Sequence, residues 1–279
     1  MRFGVHSRLW TTAWSNANLD LIDRAKSLGY SVLEISLLNL AGVDARAIRK
    51  RAEGVGLEVI ATTGLTPDKS LATADRAMRQ RTVVYLKAAV EDARMMGARL
   101  FGGLMYAVPG KFSGQKPTAD EFRWIVEGLS EVAAFAQTHD VTLAVEPVNR
   151  FETYLLNTAA QAQAVVDAIG APNVGLLLDT FHMNIEDRGI AATVRRHAAS
   201  LRHLHLNESD RGTLGGGNID WPALFATLKD IGYAGVGSIE TFGAPSSEIP
   251  VITSIWRDLF PSPDALAREG LAFLTAQAG

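Results

Sequence analysis

A single (β/α)8 TIM barrel of the α/β class is what this sequence predicts, on three observations. Eight short runs rich in Val, Ile and Leu recur along the chain, each followed by a longer segment with helical spacing of apolar residues. Joins from helix to strand are short, as at Leu28-Gly29, Gly97-Ala98 and Ile231-Gly232, whereas joins from strand to helix are long and polar, at 104–118, 147–157 and 207–220. No run of Ser, Pro or charge divides the 279 residues, so 1–279 is read as one catalytic domain. An open doubly wound sheet would usually carry a glycine-rich first turn, but this one reads His6-Ser7-Arg8-Leu9-Trp10-Thr11-Thr12.

The expected strands span 3–6, 32–35, 58–62, 99–102, 142–146, 174–179, 203–206 and 237–240. The first, second and third are short apolar or β-branched runs, and the fourth is Arg99-Leu100-Phe101-Gly102. The last four are apolar too, and each carries an ionisable residue at or next to its end. Helices are expected at 19–28, 45–54, 73–96, 119–138, 158–169, 190–200 and 221–231, with an extra C-terminal helical segment at 249–259 and 264–276. Asn157-Thr158 offers a capping oxygen to one of them, and Gly29, Gly56, Gly97, Gly170 and Gly232 mark where helices stop.

Composition narrows the function classes. A chain that is 47% hydrophobic and 20% charged can bury a large core and is not disordered. With 27 basic against 30 acidic residues the net charge is −3, so no positive field favours a nucleic acid. The absence of cysteine excludes disulfides, thiolate metal sites and a cysteine nucleophile. Arg2-Phe3-Gly4-Val5 enters a strand with no export-signal pattern, and no run of about 18 apolar residues occurs. The protein is therefore read as cytoplasmic, with no membrane partner.

The chemistry is positional. Leu143-Ala144-Val145-Glu146, Leu176-Leu177-Leu178-Asp179, Leu204-His205-Leu206 and Ser238-Ile239-Glu240 each put a cation-binding group at the end of an apolar strand. In a closed barrel those ends converge on one mouth. Three carboxylates and one imidazole without sulfur suit Mn²⁺, Mg²⁺ or Co²⁺, with Zn²⁺ less expected. Each acid taken singly also fits a helix cap or an arginine partner, and His205 alone fits a hydrogen-bonded core residue. Glu152, His182 and Arg211 lie on loops over the same mouth and can meet the oxygens of a polyhydroxylated ligand. Arg211 could instead pair with Asp210 or Glu208.

His6, Trp14 and Tyr106 are candidate pocket residues by their place near strand ends, although Trp10, Trp14 and Tyr106 equally suit packing of a lid or a subunit contact. Glu34 touches either substrate or an arginine. Leu214-Gly215-Gly216-Gly217-Asn218 lacks the residues of a phosphate loop and reads as a lid or tight turn, and Arg46, Arg49, Lys50 and Arg51 read as a solvated face.

Three stretches carry a family resemblance: Glu146-Pro147-Val148-Asn149-Arg150-Phe151-Glu152, Leu177-Leu178-Asp179-Thr180-Phe181-His182-Met183-Asn184 and His205-Leu206-Asn207-Glu208-Ser209-Asp210-Arg211-Gly212. Together they resemble the ketose 3-epimerases acting on D-tagatose, D-psicose (allulose) or L-ribulose, in the xylose-isomerase-like barrel group. The resemblance implies that Glu146, Asp179, His205 and Glu240 hold one divalent metal, Mn²⁺ first and Co²⁺ or Mg²⁺ as alternatives, with no organic cofactor. It also implies that Glu146 and Glu240 are the catalytic proton-transfer pair, that Glu152, His182 and Arg211 contact substrate, and that the enzyme is a homodimer or homotetramer. Epimerising carbon 3 of an unphosphorylated ketose needs a base on each face of an enediolate, which two carboxylates from separated strands can supply.

Rival readings are another enzyme on this scaffold, such as a hydroxypyruvate isomerase or inosose dehydratase, an apurinic-site endonuclease, and a non-catalytic sugar-binding module. The endonuclease would need more histidines than the six present and a basic surface.

Overall fold

The computed structural model describes residues 1–243 and 255–279. Its strands are β1 (Arg2–His6), β2 (Val32–Ser36), β3 (Glu58–Thr63), β4 (Leu100–Gly103), β5 (Thr142–Val145), β6 (Val174–Asp179), β7 (Leu201–His205) and β8 (Val236–Ile239). Each pairs in parallel with the next and β1 pairs with β8, so the sheet closes into an eight-stranded barrel. All eight expected strands are present, with ends displaced by two residues at most.

The helices are α1 (Asp20–Ser27), α2 (Ala45–Val55), α3 (Arg76–Met95), α4 (Ala119–Thr138), α5 (Ala159–Ile169), α6 (Thr180–Glu186), α7 (Ile190–Arg196), α8 (Trp221–Asp230) and a C-terminal α9 (Pro263–Ala278). Thr118 with Glu121 and Thr158 with Gln161 form reciprocal capping boxes that start α4 and α5. Gly56 and Gly170 end α2 and α5 in the left-handed conformation, at φ of +65° and +63°.

Two expectations needed correction. The short α6 starts directly after β6 with no loop, because Asp179 caps it by accepting from the Phe181 N–H at 2.7 Å. The helical segment expected at 249–259 lies outside the described residues as far as 254, and residues 255–259 are not helical. No described helix is long and apolar enough to cross a membrane.

Inside the barrel, Val32, Ile60 and Val236 form a small apolar cluster with Leu100 toward the strand N-termini. Side chains two residues further along point the same way and turn polar, which places Glu34 above Val32 and Ser36 above Glu34. A bulge at β7, where Leu201 and His203 oppose consecutive residues of β6, brings His203 opposite Leu177 and His205 opposite Asp179. Gly103 takes a φ of +104° beside Thr63, where a Cβ would run into the Thr63 backbone oxygen.

The loop elements also resolve. Leu214–Gly217 is a tight turn pinned by Glu208, which accepts from Gly215 N, Ile219 N and Trp221 Nε1 at 2.9, 3.2 and 2.9 Å. The basic face of α2 is solvated, with Arg49 paired to Glu53 and Arg51 to Asp23.

Candidate active site

The C-terminal ends of the strands surround a cavity of about 550 Å³. Glu146 follows β5, Asp179 and His205 end β6 and β7, and Glu240 follows β8. One ligand atom from each of the four lies within 4.8 Å of the others. The four expected residues are thus brought together.

His205 sits at the centre of this group. Its Nδ1 stands 3.3 Å from Glu146 Oε1 and 3.3 Å from Glu240 Oε2, yet makes a hydrogen bond to neither and is wholly buried. A buried ring nitrogen with no hydrogen-bond partner, facing three carboxylates, fits a divalent cation. Burial penalises the imidazolium, but Glu34 and Glu240 outweigh that and hold His205 well above the usual histidine range, so in the metal-free protein Nδ1 carries a proton whose place a bound cation would take. Burial pushes Glu146 up to about 7, with Glu240 and Asp179 adding to the rise and His205 opposing it. Burial also raises Glu240, but there His205 and Arg211 prevail and keep it well below the usual carboxylate range.

Beneath this group lies support that spacing did not disclose. Glu34 contacts neither substrate space nor an arginine. Fully buried, it meets His205 Nε2 through Oε1 at 2.7 Å and His203 Nε2 through Oε2 at 2.8 Å. The reason is depth: Glu34 lies one strand layer below Ser36 and its rim. By accepting the Nε2 proton it fixes the ring so that Nδ1 is the nitrogen that faces the carboxylates and would hold a cation. Asn207 does the same for its neighbours, donating to both Asp179 oxygens at 2.9 Å and accepting from Glu240 N at 2.8 Å. Glu34→Ala is expected to weaken divalent-metal affinity by about 10- to 100-fold. Calorimetric titration with Mn²⁺ measures it, and an unchanged affinity would show that His205 needs no anchor.

Arg211 leaves its sequence neighbours unused. It pairs with Asp179 and Glu240, at 3.4 and 3.2 Å, while Asp210 pairs with Arg257. Its backbone holds a left-handed φ of +61°, a strained state that Thr241 supports by donating to the Arg211 carbonyl at 2.7 Å. The guanidinium also stacks on Phe181, 4.3 Å from the ring centroid. His182 accepts from the Asn149 backbone N–H at Nδ1, which assigns its ring proton to Nε2 on the side of Asp179. Burial, with Arg211 nearby, keeps that ring neutral by lowering it well below the histidine range.

Glu152 lines the cavity and accepts from Asn149 Nδ2 at 3.0 Å. Burial pushes it from 4.5 up to about 7; Arg211 and Asn149 pull it down, while Glu240 and Asp179 push it up. In metal-free protein the native state then holds a proton that the unfolded chain releases, so this group costs stability as pH rises from about 4.5 to about 7. Glu152→Gln is expected to be at least as stable as the wild type at pH 8 and to lose that relative gain at pH 4. Denaturant titrations at the two values check this, and a gain confined to pH 4 would reverse the sign.

Of the other expected pocket residues, His6 lines the cavity, bonding Thr62 Oγ1 through Nε2 at 3.0 Å, with burial lowering it to about 4. Tyr106 and Trp14 are buried away from the cavity wall. The Tyr106 hydroxyl is committed to backbone, donating to Glu146 O at 3.0 Å and Leu156 O at 3.2 Å, so it positions the Glu146 segment instead of touching ligand. Trp10 ties β1 to α9 through Asp264. Sequence reasoning missed Arg8, His203, Asn207 and Phe242. Period-two spacing from His6, His205 and Glu240 would have pointed to all four.

With fold and site described, comparison with known proteins defines the class. Residues 22–277 match the xylose isomerase-like TIM barrel family, and the chain belongs to it. Within that class its relatives are ketose 3-epimerases. The chain is 37% identical to the L-ribulose 3-epimerase of Mesorhizobium japonicum over 276 residues, 98% of this chain and 93% of that protein. A solved L-ribulose 3-epimerase superposes with a TM-score of 0.94 at 36% identity, covering 99% of this chain and 94% of that one. A D-allulose 3-epimerase from Methylomonas sp. in complex with D-allulose gives 0.94 at 30% identity, covering 99% and 97%. The protein is an isomerase of this epimerase group.

Proposed function

We propose that this enzyme inverts carbon 3 of a free 2-ketose, of the D-tagatose, D-fructose/D-psicose or L-ribulose type, by removing and returning a proton through an enediolate. The reading is carried by the buried His205 Nδ1, held without a hydrogen-bond partner between the carboxylates that follow β5 and β8. Glu146, Asp179, His205 and Glu240 would hold one divalent ion, Mn²⁺ in the first place and Co²⁺ or Mg²⁺ as alternatives, because the donors are oxygen and imidazole. When bound, the ion supplies Lewis acidity toward the oxygens on carbons 2 and 3.

The chain's own residues do the rest. Glu146 and Glu240 come from strands separated by β6 and β7, so one can take the carbon 3 proton while the other returns a proton to the opposite face. Arg211 and His182 Nε2 offer donors to substrate oxygens on which negative charge develops. Glu152 and His6 add polar contacts along the cavity wall. We further take residues 1–279 to work as one barrel domain in a homodimer or homotetramer; exposed Phe151 and Trp256, at 68% and 72%, supply apolar surface for such assembly.

Incubating the Mn²⁺-loaded protein with D-fructose, D-tagatose and L-ribulose in D2O tests the reading. Deuterium at carbon 3 and appearance of the epimer are expected. Exchange confined to carbons 1 and 2 with an aldose product would show an aldose–ketose isomerase instead.

A further inference from the structure

Asn149 stands behind the cavity wall, buried, between two residues that do line the cavity, Glu152 and His182. Its side-chain oxygen accepts from the Phe151 N–H at 2.9 Å, which settles which way the amide faces. Nδ2 therefore points to the wall, with Glu152 Oε1 at 3.0 Å and His182 Nδ1 at 2.9 Å. An amide nitrogen carries two hydrogens, so one goes to each partner and no polar atom of the side chain is left over. The Asn149 backbone N–H reaches the same His182 nitrogen at 3.1 Å, so a single residue supplies both donors that Nδ1 meets.

The turn has other fastenings. Glu152 N and Thr153 N donate to the Asn149 carbonyl at 3.0 and 3.1 Å, and Gly110 N donates to the Glu152 carbonyl at 2.7 Å. Arg150 ties the turn to α6, with its backbone N–H and Nε on Glu186 Oε1 at 2.7 and 2.9 Å and Nη2 on Oε2 at 2.7 Å. Only the oxygen of the Asn149 amide serves the shape of the turn; the two Nδ2 hydrogens are spent on the cavity wall. A carboxylate and an imidazole at a cavity each lose rotamer freedom when they grip a ligand, and a shared donor that orders them beforehand removes that cost. The bridge holds Glu152 Oε1 4.0 Å from His182 Nδ1, leaving the other carboxylate oxygen and the Nε2 hydrogen for the cavity.

We propose that Asn149 is a positioning residue for the substrate: through Nδ2 it locks the Glu152 carboxyl and the His182 ring together, so that the wall offers the ketose one acceptor and one donor as a preset pair. The proposal rests on the reading in which Glu152 and His182 contact the sugar. It adds the residue that makes the two act as one.

Asn149→Asp keeps the size of the side chain and the acceptor for the Phe151 N–H but has no Nδ2 hydrogens, whereas Asn149→Ala loses both. Deuterium incorporation at carbon 3 is measured at pH 8 with the Mn²⁺-loaded enzyme and D-tagatose, D-fructose and L-ribulose. Both variants are expected to lose about tenfold in kcat/KM, mostly through KM, since a hydrogen bond to a charged group contributes roughly that factor. A residue that only shaped the turn would be rescued by aspartate, so wild-type kcat/KM in Asn149→Asp overturns the proposal. Should the alanine variant fail to fold, the aspartate variant decides alone. In a chain already carrying Glu152→Ala and His182→Ala, Asn149→Asp is expected to change nothing further, because it acts through them; an undiminished loss there also overturns the proposal. If those two substitutions leave kcat/KM intact, or if no ketose exchanges at carbon 3, the reading of the sugar contacts or of the reaction fails separately, and the His182 ring decides the bridge. By nitrogen-15 NMR of the Mg²⁺-loaded protein, the wild type is expected to carry the ring hydrogen on Nε2 and Asn149→Asp to gain one on Nδ1. A ring unchanged by the substitution rejects the bridge.

Discussion

Glu240→Gln is expected to slow exchange of the carbon 3 hydrogen by about 10²- to 10⁴-fold, the usual contribution of a positioned acid or base. The amide keeps the shape of the side chain and a carbonyl oxygen for the ion, but takes no proton at neutral pH. Glu146→Gln is expected to fall by a similar factor. The two variants should differ in which epimer still exchanges. With one carboxylate left, hydrogen can leave from the face that carboxylate serves, so deuterium enters one epimer without inversion, and the other variant shows the reverse preference. Proton NMR in D2O starting from each epimer gives this pattern, and metal analysis of the purified variants separates lost chemistry from a lost ion. Full epimerisation by either single variant would remove the two-base scheme. The geometry makes the expectation sharp, because both carboxylates stand 3.3 Å from the same His205 nitrogen and neither is bonded to it.

Stripping the divalent ion should be the second large effect. Three carboxylates and an imidazole gather in a buried space, with Arg211 the cation paired to two of them. Removing an ion bound a thousandfold above its Kd withdraws about 4 kcal/mol, which at this size lowers the melting temperature by on the order of 5–10 °C. The loss should depend on pH. Burial holds the Glu146 carboxyl near 7 in the metal-free state, so below that value protons compete with the ion for this donor. Calorimetry with and without chelator should therefore show a wide gap at pH 8 that narrows toward pH 5. A gap that is absent at pH 8, or that widens on acidification, would contradict the assignment of this quartet as a metal site.

Legibility in the sequence followed the range of the forces involved. Strand alternation and helical spacing are local backbone properties, so the eight strands and the α4 and α5 starts could be read from neighbours a few residues apart. Glu146, Asp179, His205 and Glu240 were legible for a related reason: an ionisable group closing an apolar run has few structural explanations, and four such runs fall in succession. The short α6 was hidden because its cap is also the last residue of β6. Tyr106 and Trp14 misled because a loop aromatic near a strand end can turn toward the core as easily as toward the mouth, and both are buried there.

Sequence by itself determined the barrel, the ends of its strands and the chemical kind of the quartet. Tertiary structure alone decided who partners whom. Glu34 serves His205 across 171 residues, Arg211 passes over Asp210 to reach Asp179 and Glu240, and Arg8 faces the cavity with only a serine bound to its Nε. The physical reason is that period and propensity fix which way a side chain points along its own strand. Its partner depends on barrel closure, on the bulge that sets β7 against β6, and on depth within the barrel, and none of these is a property of any single segment.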